Sequence, residues 1–336
     1  MTGRRFLPSP MRIEENLMAR TIAIVVALFA LLFNVSVVIA DILPLTEYIF
    51  VGGQRIKLED GLDLSQRDLR GIEIHRELRT LKNINFSGSN LQGADFSETR
   101  FVNCSFRGAR LIDITCLHAD KNCDFTDASI RDIRGLSITR EQLESTANFK
   151  RRQFLDGRKH LKNILFSGSD LRGTVFSEFV LEGVGFIDSL VDDCDFTNTV
   201  LEGKCGFGGV YTGLPYVVGG GGSVDPTKMT YEQLQSTKNY KDGVLVNLRL
   251  HLICTEGQAD FSRMNLTGCQ FSPEEGWHEN CRLDLTDAII TNCDFRWFKR
   301  LTLENVKSTW NYKNNRLAGV WLPEEIQKVL DAEKEQ

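Results

Sequence analysis

The chain has 336 residues, with 40 Lys plus Arg against 45 Asp plus Glu and a formal net charge of −5. That balance excludes the strongly basic footprint of a nucleic-acid binder, and an apolar content of 42% excludes wholesale disorder. Phe occurs 21 times against 6 Tyr and 4 Trp, and no Pro falls between Pro44 and Pro215, which suits a dry interior lined by an unbroken ladder.

Residues 21–33 (TIAIVVALFALLF) form an uncharged apolar run, preceded by Arg4, Arg5, Arg12 and Arg20 and followed by Asp41 and Glu47. Positive charge stays on the cytoplasmic side, so the chain beyond residue 40 is expected outside the cytoplasm: periplasmic, secreted or in the cell envelope. Val38-Ile39-Ala40 fits the small-residue cleavage rule, so residues 1–40 read as a signal peptide with Asp41 as the mature N-terminus. Residues 21–40 are also long enough to span a bilayer, and a retained membrane anchor is the competing reading. Membrane association is expected only through this segment.

The body repeats every five residues. Large apolar residues stand at Leu81, Phe86, Leu91, Phe96, Phe101, Phe106 and Leu111. They recur at Leu161, Phe166, Leu171, Phe176, Leu181, Phe186, Val191, Phe196 and Leu201. Shorter runs follow at Phe261-Leu266-Phe271 and Leu285-Ile290-Phe295. Two residues before each such central position lies a smaller one, including Ser89, Ala94, Thr99, Cys104, Ala109, Ser169, Thr174, Cys194 and Cys293. Steps of five make no stripe on an α-helix, and on a plain strand they alternate between faces. The pattern is satisfied if the chain turns a corner every five residues and keeps the central residue and the small one inside. Four corners close a square coil, and coils stack at the strand spacing of about 4.8 Å. Residues twenty apart then lie in columns, as the pairs Phe86 and Phe106, Phe166 and Phe186, and Phe176 and Phe196 suggest.

Segments such as Asn90-Leu-Gln-Gly-Ala94-Asp-Phe96, Cys104-Ser-Phe106-Arg-Gly-Ala109-Arg-Leu111 and Cys194-Asp-Phe196-Thr-Asn resemble the pentapeptide-repeat family. The resemblance implies a mainly β fold, the right-handed quadrilateral β-helix solenoid, here interrupted by short α-helical connectors. It covers about half of the chain after residue 40, and an unbroken register of central positions is a strong repeat signal.

Three segments share a second pattern: Ile138–Lys150, Met229–Lys241 and Leu301–Lys313, each ending Ser-Thr-x-Asn-aromatic-Lys. Each opens as a short helix. Thr139, Thr230 and Thr302 are N-cap candidates, Gln142 and Gln233 stand at the capping-box position, and Glu141, Glu232 and Glu304 favour the first turn. They resemble segments of exported bacterial members of the family. A catalytic group is needed once, whereas a corner piece is needed at every corner, so these read as connectors. The segments are thus 1–40, a first coil set at 41–135, a connector at 136–160, a second coil set at 161–209 and a Gly-rich loop at 210–228. A second connector at 229–244, a third coil set at 245–300 and a helical cap at 301–336 complete the chain. In the cap, Ile326, Val329 and Leu330 fall on one helical face, with Trp310 and Trp321 expected beneath it.

Chemistry candidates are few. Cys104, Cys123, Cys194, Cys269 and Cys293 take the small inward site, where a thiol is a compact apolar group. Cys116, Cys205, Cys254 and Cys281 are left for disulfides of undetermined pairing. The densest ligand cluster, Cys116, His118, Asp120 and Cys123, coincides with a slip of the repeat that a bulged loop explains. No residue is assigned a catalytic, cofactor-binding or metal-binding role, and no cofactor is expected. The leading functional expectation is a non-catalytic exported scaffold with an unknown protein partner and no nucleic acid. The alternatives are a DNA-mimicking binder of a topoisomerase, which the resemblance allows for a cytoplasmic chain, and a β-helix polysaccharide-active enzyme.

Overall fold

The computed structural model describes residues 48–51, 54–74, 79–150, 158–207, 229–250, 252–254, 257–271 and 281–334. The apolar run before residue 41 and the Gly-rich loop at 210–228 lie outside the described residues.

A left-handed residue at each corner makes the chain turn by fives. The residue two places after a central one has positive φ: Asn83 after Leu81, Gly88 after Phe86, Asn103 after Phe101, Asn163 after Leu161 and Asn198 after Phe196. For most L-residues this conformation costs about 1–2 kcal/mol, which explains why Gly, Asn and Asp dominate the position. The residue before each central one works with it. Its carboxylate or amide oxygen accepts the N–H two residues on, as Asp95 does from Ser97 (2.9 Å), Asp195 from Thr197 (2.8 Å) and Asn265 from Thr267 (3.1 Å). This is an Asx turn, the local alternative that short polar side chains offer the backbone.

Successive coils stack in parallel register, with Leu81 beside Phe101, Phe166 beside Phe186, Phe186 beside Phe207, Phe207 beside Leu250 and Leu250 beside Phe271. Nine strands, from Arg79–Lys82 to Gln270–Phe271, form one sheet, so the separate runs in the sequence join as one continuous solenoid. Bridges from Gln270 to Asp294 and from Asp294 to Trp321 carry the ladder further. Aromatic columns fill the interior. Phe106 lies between Phe86 and Phe125, at 5.2 and 5.1 Å between ring centroids, and Phe186 lies between Phe166 and Phe207, at 5.4 and 5.2 Å. Neighbouring columns meet edge to face, as Phe101 does with Phe86, Phe96 and Phe106.

Within the first coil set the coils begin ahead of Leu81, because Leu64, Leu69 and Ile74 are buried central residues whose coil bridges to the next through Asp63–Asn85, Asp68–Asn90 and Glu73–Asp95. Two features depart from the sequence reading. An antiparallel hairpin, Tyr48–Val51 with Gln54–Lys57, precedes the coils. The slip between Leu111 and Phe125 is no simple bulged loop. Residues Arg110–Ala119 form an extended strand paired with Ser129–Ser137, bent at Asp113 and Cys116, whose φ values are 57° and 51°.

Each connector is a pair of one-turn helices lying over a corner of an earlier coil: Arg140–Ser145 with Ala147–Lys150, Tyr231–Ser236 with Lys238–Lys241, and Leu303–Ser308 with Trp310–Lys313. The expected capping boxes are present at Thr139 and Thr230, and Asn305 completes a third with Thr302. The second Thr of each motif, fully buried Thr146, Thr237 or Thr309, donates its hydroxyl to the first helix and accepts the N–H of the aromatic residue in the second. The Asn after it takes the place of a neighbouring strand. Asn148, Asn239 and Asn311 accept the N–H groups of Ile130, Leu201 and Ile290 through Oδ1, at 2.9, 2.7 and 2.7 Å. At the C-terminus, helix Glu324–Lys334 buries Ile326 and Leu330, but Val329 and Trp321 are exposed, contrary to the expectation that Trp321 lies beneath it.

Candidate functional surface

The inward polar residues are consumed by the fold. Ser89, Thr99, Ser169 and Thr199 donate their hydroxyls to the carbonyls of Leu64, Ile74, Leu136 and Phe176, each a coil earlier in the chain. The thiols of Cys104, Cys123, Cys194, Cys205, Cys269 and Cys293 do the same toward Leu81, Phe101, Leu171, Leu181, Leu245 and Leu266. The inward thiol is therefore a hydrogen-bond donor as well as a small apolar group, and it alternates with Ser and Thr for that reason. Thr174 and Ser189 differ, each bonding a carbonyl of its own coil. Burial pushes the Cys194 and Cys269 thiols up to about 12 and Cys205 up to about 11. Such thiols stay protonated near neutral pH and are poor nucleophiles.

The four residues at the slip do not converge on a metal. Cys116 Sγ donates to the carbonyl of Arg134, while the Asp120 carboxylate accepts the N–H groups of Asn103 and Asn122. Burial, with Arg100 nearby, lowers the pKa of His118. Among the described residues no group of three or more His, Cys, Asp or Glu is arranged to hold a metal ion. Of the four cysteines set aside for disulfides, Cys254 and Cys281 are bonded to each other, while Cys116 and Cys205 are free and buried.

Some outward acids are committed as well. Asp68, Asp170 and Asp294 each take a guanidinium fork from the residue two places on, with Arg70, Arg172 and Arg296 at 2.6, 2.6 and 2.7 Å. The hydrogen bonds from Arg70 and Arg172 hold the Asp68 and Asp170 carboxyls below the usual range. Exposed pairs of this kind contribute little to stability, so their main effect is to neutralise these three carboxylates locally.

Two residues break the surface pattern. Trp297 sits two places after the buried Phe295, where the repeat mostly puts Gly, Asn or Asp and otherwise Gln66, Glu98, Glu178 or Arg263, and it is 67% exposed. Trp321 holds the outward position beside Asp294 and is 51% exposed. The Arg296 guanidinium lies 4.0 Å from the Trp321 ring centroid while it also grips Asp294. Neither indole is part of the buried core. The sequence contains the signal, since both positions are off-pattern, although the sequence reading expects Trp321 beneath the C-terminal helix.

The geometry agrees with the family comparison: the model for pentapeptide repeats matches residues 81–114, in eight copies. Residues 81–114 are thus a stretch of pentapeptide repeats. Among solved structures similar to this chain is trypsin-treated QnrB1, a plasmid-mediated fluoroquinolone resistance protein. It is 16% identical, with 83% of this chain and 95% of that one covered and a TM-score of 0.23. HetL, a pentapeptide repeat protein involved in heterocyst differentiation regulation from the cyanobacterium Nostoc sp. strain PCC 7120, is 15% identical. That match covers 69% of this chain and 90% of HetL, with a TM-score of 0.18. No curated protein matches the chain.

Proposed function

We propose that this protein is a non-catalytic, exported scaffold that binds a protein partner through the outward face of its last coils, centred on Arg296, Trp297 and Trp321. The observation that carries the reading is the presence of two exposed indoles at outward positions of the repeat that polar residues or Gly otherwise hold. Trp and Arg are the residues that dominate binding energy at protein interfaces. Export is supported by the apolar run near the N-terminus and by the Cys254–Cys281 bond, which belongs to an oxidising compartment. Among the described residues no helix is long and apolar enough to cross a membrane. A DNA-like acidic surface is disfavoured, because the outward carboxylates at Asp68, Asp170 and Asp294 are neutralised by their own arginines.

The test is a pull-down from the native cell envelope with wild-type protein, the Trp297→Ala/Trp321→Ala double variant, and an Asp68→Ala/Arg70→Ala control at the other end. A partner captured by wild type and control, and lost from the tryptophan variant, is the expected result. Loss in the control alone would move the binding face to the N-terminal coils and overturn the assignment.

A further inference from the structure

The three connectors end on the same lysine, yet the three lysines do not meet the same partner. Lys150 Nζ lies 3.2 Å from Asp127 Oδ1, and Lys313 Nζ lies 2.7 Å from Asp287 Oδ1. In the second connector Lys241 Nζ donates instead to Oδ1 of Asn198 at 2.8 Å, a neutral amide at the equivalent left-handed corner position. A charge that the motif compensates twice is therefore uncompensated once, and Lys241 makes no ion pair among the described residues.

Lys241 also lines an opening in the surface. A cavity of about 380 Å³ is lined by Arg158, Glu178, Asn198, Lys238, Lys241 and Asp242. Lys238 stands where the other connectors have Ala147 and Trp310, and it pairs with Asp242 at 2.7 Å. Three cations thus face two carboxylates around a volume in the range of small-molecule sites.

We propose that this cavity binds a small, soluble phosphate-type anion, phosphate itself or a phosphate monoester. Lys241 supplies the uncompensated charge, and Lys238 and the Asn198 amide supply further donors. Glu178 and Asp242, which also line the cavity, keep the affinity modest by repelling the anion.

The experiment is a titration of the full chain with inorganic phosphate at constant ionic strength, followed by calorimetry or amide chemical shifts. Saturable binding is expected. Asn198→Asp installs the acid that the other two connectors use, so it should melt no lower than wild type and bind phosphate at least tenfold more weakly. Lys241→Gln should weaken binding similarly, and Lys150→Gln should leave it unchanged. Wild-type protein that does not saturate, or an Asn198→Asp variant that folds and binds as well as wild type, overturns the proposal. Equal affinity for citrate overturns the phosphate assignment. Binding to phosphatidylglycerol vesicles without binding to free phosphate overturns the soluble ligand.

Discussion

A left-handed residue at every corner does not make every corner glycine equivalent. Gly183 has a φ of 62°, and a methyl group there would lie 2.5 Å from Asn163 Oδ1 on the preceding coil. Gly108, with a φ of 64°, has open space around it. Both replacements by Ala pay the left-handed penalty of about 1 kcal/mol, and only Gly183→Ala adds a collision with a neighbouring coil. Urea denaturation should therefore show Gly183→Ala to be the less stable by a further 1 kcal/mol or about that. Equal losses would mean that Asn163 moves aside freely. At this scale the sequence is a good guide to size and a poor one to hydrogen bonding. The Leu and Phe columns are visible in it because burial selects bulk at fixed intervals. The donor role shared by Ser89, Thr99 and Cys194 is not, because the carbonyls they reach belong to residues more than twenty positions earlier.

The connectors show the same division between local and distant causes. Their capping boxes are legible because donor and acceptor are three residues apart. The second one-turn helix is not, because its defining contacts are made by Asn148, Asn239 and Asn311 with strands of other coils. Asn311 is fully buried, accepts from Ile290, and donates to Thr291 Oγ1 and to the Arg316 carbonyl. Asn311→Ala orphans a buried N–H and should cost about 1–3 kcal/mol in a chemical-denaturation midpoint. Asn314→Ala removes one exposed bond to the Trp310 carbonyl and should cost a few tenths, about 0.5 kcal/mol at most. If the two variants were equally stable, the connector would be a passive insertion and not part of the ladder.

Over the whole molecule, each coil touches mainly the coils before and after it, so stability is a chain of neighbour contacts. The Cys254–Cys281 bond, between residues 27 apart, is a covalent tie between two such neighbours. Opening it should lower stability by about 2–4 kcal/mol. Thermal melts should show wild type losing Tm in reductant, and a Cys254→Ser/Cys281→Ser variant starting low and ignoring reductant. Reductant that shifts the variant as much as wild type would refute a stabilising bond. Continuity of the solenoid was hidden from the sequence, because the pieces around residues 139–160 and 208–248 carry no five-residue phase. The inward donors also give the rod a polarity. Ser89 reaches back to Leu64, Cys194 to Leu171 and Cys293 to Leu266, and Cys116 in the bent strand is an exception that reaches forward to Arg134. A polypeptide emerging from a ribosome or translocon N-terminus first thus lays down acceptors before the side chains that need them. Each new turn can dock on a finished template, and growth is vectorial.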